Sequence, residues 1–395
     1  MKPTRCAELA GRSLLSLMLI GRMLVNVPPS QAADQLATYF HYSTEDLAPL
    51  HSLSTTSEMS LRELDRVDEV TFELMSKHNV DADQAAKILA YLTVAQRDSG
   101  ALSARVRGKF AGSVGPVSSM VLCDFFPVDC PLVSKRLDAD PYSQALAGVI
   151  HAKIKARIDE ENQQVKSIEP AVGDQYWTGT LPYGGIACPT WKPWAIESAS
   201  QFRAPALPAL DYTSPEWQHQ LQAVRQAVSG ITDEQRAKGI FYAGGPGTRT
   251  WIGVWVDQAT ELFKQYHTPL GDAFLIRSLL GMALVDAVIT VFDTKYAYAT
   301  KRPNQVDPSI ITIMPTPNFP AYTAGHSCLS GAASAVLAHF FPSEQDRLFA
   351  LNKEIENSRV WIGVHYPIDG DVGTPQGRRV GAWVIYRLMS REVEL

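Results

Sequence analysis

Three short segments in the last third of the chain carry residues whose types and spacing could bind and transform a small anion. The first is Lys295-Tyr296-Ala297-Tyr298-Ala299-Thr300-Lys301-Arg302-Pro303, which closes a long apolar run. Lys295 and Arg302 stand seven residues apart, two turns on a continuous helix, so both cations can face one point even if the chain leaves the helix just before Pro303. Basic residues there would equally serve to complement the dipole of a helix end. The second segment, Phe319-Pro320-Ala321-Tyr322-Thr323-Ala324-Gly325-His326-Ser327, precedes a run of small residues. Gly325 just ahead of a helix lets backbone N–H groups approach an anion, and His326 follows it, either beside that anion or as a plain helix-capping histidine. The third segment runs from Ser358-Arg359 to His365-Tyr366-Pro367-Ile368-Asp369. Pro367 suits the first turn of a new helix, so His365 and Asp369 can meet on one face, where Asp369 holds one imidazole nitrogen and leaves the other basic. Taken alone, that pair would also fit a surface His–Asp contact.

Together the segments supply Lys295, Arg302 and Arg359 as fixed positive charge, Gly325 as a backbone donor, and two histidines in different settings. That inventory suits a tetrahedral oxyanion, with the single imidazole of His365 attacking or coordinating its central atom.

The elements that must position these residues are helical. From about Thr44 to Ile168 apolar residues recur at helical spacing, as at Leu61, Leu64, Val67 and Val70. From Pro170 to Pro215 the composition turns to Pro, Gly, Trp and Tyr, which predicts a long ordered loop over a helical body. Helical pattern then resumes to Leu395 with almost no strand-like alternation, so the fold class is all-α, built of helical bundles. The expected organisation is a leader at 1–32, an N-terminal bundle at 33–169, the loop at 170–215, and a C-terminal bundle at 216–395 carrying the site. Ser119-Met120-Val121-Leu122-Cys123-Asp124-Phe125-Phe126-Pro127 echoes Ser334-Ala335-Val336-Leu337-Ala338-His339-Phe340-Phe341-Pro342, which either marks a duplicated bundle or is a coincidence between two apolar helix ends. Phe274 to Phe292 has the length of a membrane span, but Arg277 and Asp286 interrupt it, and it reads as a buried core helix.

A net charge of −5 gives no global attraction to nucleic acid, and no such partner is expected; any anion chemistry must come from a local cluster. Lys2, Arg5 and Arg12, the apolar run Leu14 to Ile20, and Ser30-Gln31-Ala32 read as an export signal, which predicts a mature chain beginning at Ala33 and no transmembrane anchor after cleavage; the alternative, with Arg22 interrupting the apolar tail, is an uncleaved amphipathic leader. The expected location is periplasmic or secreted. Cys123, Cys130, Cys188 and Cys328 then remain, as two pairs (Cys123 with Cys130, Cys188 with Cys328) or as buried thiols.

At these motifs the sequence resembles the superfamily that joins vanadium-dependent haloperoxidases to type 2 phosphatidic acid phosphatases and bacterial class A acid phosphatases. The shared pattern is Lys-x6-Arg-Pro, then Gly-His opening a helix, then Ser-Arg-x5-His-x3-Asp, in that order. Gln201-Phe202-Arg203 and Phe241 to Thr248 look like the haloperoxidase-like bacterial members. The resemblance implies a pair of α-helical bundles with the site in the second. It also implies two chemistries. In one, vanadate is the cofactor, bonded to His365 and held by Lys295, Arg302, Gly325 and Arg359, while His326 moves protons as peroxide oxidises a halide. In the other, with no cofactor, His365 attacks a phosphate ester and His326 protonates the leaving alcohol. One residue departs from the pattern: Ala324 stands where the family has serine, which leaves Thr323 as the neighbouring hydroxyl and motivates a third reading, an oxyanion-binding protein without turnover.

Overall fold

The computed structural model describes residues 36–207, 210–245 and 247–393, so the leader expected at 1–32 lies outside the described residues. The helices are α1 (Thr44–His51), α2 (Leu61–Lys77), α3 (Ala82–Arg107), α4 (Gly115–Phe125), α5 (Cys130–Arg136), α6 (Pro141–Gln164), α7 (Pro215–Ser229), α8 (Asp233–Ala243), α9 (Gly253–Gln265), α10 (Leu270–Tyr298), α11 (Pro303–Val306), α12 (Gly325–Phe340), α13 (Gln345–Trp361) and α14 (Pro367–Val393). Among the described residues there is no strand, only an isolated bridge between Glu58 and Ala111. The all-α expectation holds.

Two long helices, α3 and α10, form the axis of the molecule and pack on each other. Both are enclosed by the rest of the protein: α3 is buried from Ala85 to Ser103, and nearly all of the apolar α10 is buried. The helices cross where Gly281 faces α3, and a Cβ there would lie 2.5 Å from Thr93 Oγ1 and 3.1 Å from Ala90 Cα. Although α10 is long and apolar enough to cross a membrane, its apolar stretch lies wholly inside the protein, and Arg277 is neutralised there by Asp68 at 2.6 Å. One apolar cluster runs from Tyr42 to Leu388 through both halves, and a smaller one (Trp217, Leu221, Val224, Ile310, Ala321, Tyr366) lies alongside the candidate site.

The echo in the sequence falls in two stretches with a similar order of elements. Each axial helix is followed by a helix ending in Phe-Phe-Pro, a 3-10 turn, a further helix, and a last long helix opened by proline: α3–α4–α5–α6 and α10–α12–α13–α14. At the matching turns Phe126 has φ −128°, ψ 61° and Phe341 has φ −125°, ψ 67°. A buried aspartate on each axial helix holds an incoming segment. Asp98 accepts from Tyr39 N, Phe40 N and Tyr42 Oη, and Asp286 accepts from Trp194 N, Ala195 N and Ile196 N at 2.8–3.0 Å. The two held segments meet where Tyr39 Oη donates to Trp194 O at 3.0 Å.

Burial pushes the Asp286 carboxyl up to about 6, against the pull of its three N–H donors. Asp286→Asn turns an amide NH2 toward at least one of those donors, and is expected to cost ~2–3 kcal/mol. Urea unfolding measures this; a midpoint equal to that of the native chain would mean that the 191–197 segment is held by other contacts.

The structure settles the cysteines. Cys123 and Cys130 form a disulfide, whereas Cys188 and Cys328 are separate buried thiols, so each of the two alternatives holds for one pair. Cys188 Sγ donates to Asp83 Oδ2 at 3.4 Å and Cys328 Sγ to Ala287 O, so each thiol has its own acceptor.

Candidate active site

The first cation comes from the last turn of α10. Lys295 has no solvent exposure, and its Nζ donates to Pro320 O at 2.9 Å and Ala321 O at 2.8 Å. Continuity of the helix is not what aims Arg302 at the same point, contrary to the sequence expectation. The helix ends at Tyr298 with Ala299 left-handed (φ 46°), and Arg302 reaches back from the segment ahead of α11. Both cations clasp the 319–321 stretch instead: Arg302 Nε donates to Phe319 O at 2.9 Å, and the Phe319 ring lies 5.1 Å from Lys295 Nζ and 5.0 Å from the guanidinium.

Arg302 is also fully buried. Its Nη1 contacts Val364 O at 2.7 Å and His365 Nε2 at 3.0 Å, while Nη2 has no partner. His365 Nδ1 lies 2.7 Å from Asp369 Oδ2, and the same oxygen accepts from Tyr366 N at 3.1 Å. A carboxylate facing Nδ1 and a guanidinium donor facing Nε2 fix the tautomer, so Nδ1 carries the proton and Nε2 the lone pair. The sequence expectation for Asp369 is met in geometry.

Arg359, in the last turn of α13, is 3% exposed and donates from Nη2 to Gly239 O at 2.5 Å and from Nε to Ser358 Oγ at 3.0 Å. Gly325 opens α12 behind Ala324, an N-cap with no side-chain hydrogen bond, and a Cβ on Gly325 would meet no atom within 4 Å. His326 Nε2 lies 2.8 Å from Tyr242 O, and its ring stacks on Trp251 with centroids 4.3 Å apart.

These groups share one electrostatic neighbourhood. Burial, then the charges of Arg302 and Lys295, with His326 and Arg359 behind them, hold His365 well below the ordinary histidine value. Burial and then Arg359 do the same to His326. Burial pushes Arg302 down to about 10 and Arg359 to about 9, and holds Lys295 well below a normal lysine. Asp369 is pushed up to about 7, again by burial.

Among the described residues none of the three cations has an ion-pair partner within 4.0 Å. Buried charges without a counter-ion are costly, so the arrangement calls for an anion. An unpartnered guanidinium nitrogen, open space at Gly325 on a helix N-terminus, and an imidazole lone pair that faces only an arginine donor fit a small oxyanion such as vanadate or phosphate.

Thr323 does not replace the missing serine: its hydroxyl bonds Gln376 Oε1 at 2.6 Å. Ser327 Oγ, in contrast, is buried beside Gly325 with no partner. Ala324→Ser is expected to tighten orthovanadate binding about fivefold, the equivalent of ~1 kcal/mol for one added hydrogen bond. Isothermal titration reads this directly, and an unchanged affinity would mean that the Ala324 position does not face the anion. Sequence reasoning missed the carbonyls of Gly239 and Tyr242 and the ring of Trp251. Backbone acceptors leave no mark on residue type; only the quoted stretch from Phe241 onward pointed to that region.

Residues 274–393 match the family model of the PAP2 superfamily. Three solved structures share the fold. A bacterial vanadium-dependent iodoperoxidase is 21% identical, with 83% of this chain and 96% of that chain covered at a TM-score of 0.66. The apo-type bacterial vanadium-dependent chloroperoxidase is 13% identical, covering 80% of this chain and 95% of that chain at 0.65, and the holo-type is 13% identical, covering 71% and 82% at 0.60. No curated protein matches the sequence. The segment that carries the candidate site, residues 274–393, is thus similar to the PAP2 superfamily. The described residues have the fold of these bacterial haloperoxidases.

Proposed function

We propose that this chain is a vanadium-dependent haloperoxidase-like enzyme that oxidises halide with hydrogen peroxide. The observation that carries the proposal is the set of three buried cations without carboxylate partners around the lone pair of His365. Fold coverage of nearly the whole iodoperoxidase chain supports the oxidative reading over a hydrolytic one. Vanadate, when bound, supplies a Lewis-acidic centre that polarises peroxide.

The chain's own residues do the rest. Lys295, Arg302 and Arg359 neutralise the anion and any negative charge that develops on its oxygens, and the N–H groups at Gly325 add fixed dipoles. His365 offers Nε2 to the central atom, and Asp369 keeps that ring in the right tautomer. His326 holds or passes a proton beside the anion. The leader at 1–32 and the disulfide Cys123–Cys130 support export to the periplasm or beyond, with residues 33–169 and 216–395 as the two helical units.

Hydrolysis of phosphate monoesters through a phosphohistidine on His365 is the second reading, favoured by the PAP2 match. A paired assay separates them: an aryl phosphate in one arm, and orthovanadate, peroxide and bromide with a phenolic dye in the other. Vanadate-dependent halogenation supports the proposal. Hydrolysis blocked by vanadate supports the phosphatase, and tight anion binding with neither activity leaves the binding protein.

A further inference from the structure

The last turn of α8 touches the candidate site twice. Gly239 O accepts from Arg359 Nη2 at 2.5 Å, and one turn later Tyr242 O lies 2.8 Å from His326 Nε2. A carbonyl can only accept, so Nε2 must carry the proton; a neutral imidazole has one N–H, and Nδ1 is left as the only proton-accepting atom of that ring. Trp251 stacks on the ring at an interplanar angle of 22° and fixes its plane.

What holds the turn in place is on α13. Tyr242 Oη donates to Glu354 Oε1 at 2.6 Å and Lys238 Nζ to Glu354 Oε2 at 2.7 Å. Gly239 lies flat against the same helix, where a Cβ would come within 2.4 Å of Ile362 Cγ2. Glu354 and Arg359 share α13, so the helix that brings the cation also carries the latch for the turn that orients the histidine.

We propose that Glu354, acting through Tyr242, is a positioning residue that keeps His326 as its Nε2–H tautomer and so makes Nδ1 the atom that exchanges a proton at the anion site. The catalytic part of this inference rests on the function proposed above; the tautomer part does not. Glu354 lies on the far side of Tyr242 from His326 and touches no residue of the anion cluster among its hydrogen-bond partners.

The test uses the full chain labelled with 15N-histidine, its His326 signals assigned with a His326→Gln sample, and long-range 1H–15N correlation to read which ring nitrogen is protonated. The native chain is expected to show protonated Nε2 and bare Nδ1. Tyr242→Phe, which removes one hydroxyl, and Glu354→Ala should both give a tautomer mixture. In the turnover assay they should lower kcat roughly tenfold, part of the ~10²–10⁴ that a general acid or base contributes, with KM for peroxide or ester changed less than twofold. Glu354→Gln keeps an acceptor for Tyr242 Oη and should restore both the native signals and kcat. Protonated Nδ1 in the native chain overturns the proposal, as does an unchanged tautomer in Tyr242→Phe and Glu354→Ala, or a changed tautomer with unchanged kcat. If Glu354→Ala does not fold, Tyr242→Phe decides alone. A native chain with no turnover of either kind sinks the functional reading and the catalytic part with it, while the tautomer spectra still report on the latch.

Discussion

His365→Ala is expected to lower turnover at least ~10³-fold in whichever of the two chemistries the native chain shows, because the substitution removes the imidazole proposed to bond the central atom of the anion. Arg302 and Asp369 bracket this imidazole at 3.0 Å and 2.7 Å, so no neighbouring side chain can take its place without rebuilding that network. The same surroundings set the pH dependence. Burial and the nearby cations hold His365 well below the ordinary histidine value of ~6.5, so Nε2 keeps its lone pair through the neutral range. Loading with orthovanadate should therefore persist as pH falls through 6.5, where an unperturbed histidine would already be half protonated. Circular dichroism matching the native chain shows that the variant is folded; a folded His365→Ala protein with more than a tenth of native turnover would place the reacting group elsewhere.

Orthovanadate is expected to raise the melting temperature of the native chain by about 4 °C at roughly 100-fold above its dissociation constant, where linkage predicts ~2.7 kcal/mol of stabilisation. Burial lowers Arg302 to about 10 and Arg359 to about 9, so both unfolded side chains hold their protons more tightly than the folded ones do. That cost is fully present below pH 9 and fades as pH rises through the folded values, so the gain from a bound anion should be largest at neutral pH. Arg302→Ala removes the guanidinium whose Nη2 has no protein partner, and is expected to reduce the anion-induced shift to less than about 1 °C. Scanning fluorimetry with sodium chloride as the ionic-strength control reads both chains. A native chain indifferent to orthovanadate would mean that these cations do not form an anion site.

The groups of the candidate site were legible in the sequence because charged residues are conspicuous where the surrounding pattern is apolar. Lys295 closes a helix buried on every side, and His365 and Asp369 stand four apart across a helix start opened by Pro367, so that they meet at 2.7 Å. The axial role of α10 was legible for the same reason, and the Phe-Phe-Pro echo falls at two turns of matching backbone geometry. The approach of Arg302 was not legible, since it depends on Ala299 adopting a left-handed conformation that alanine rarely takes. Neither was the fate of Thr323, whose hydroxyl goes to Gln376 from a helix 53 residues further on. The contacts of α8 were hidden more deeply, because a main-chain oxygen is the same in every residue.

The pairing of α3 with α10 bears on how the enzyme could be cut down. Every group proposed to touch the anion lies beyond residue 290, yet the helix carrying Lys295 spends one flank against the first half of the chain and leans on Asp68 to cancel Arg277. Excised from its N-terminal companion, the catalytic half would bare a greasy stripe and an orphaned guanidinium, so it has no autonomous existence.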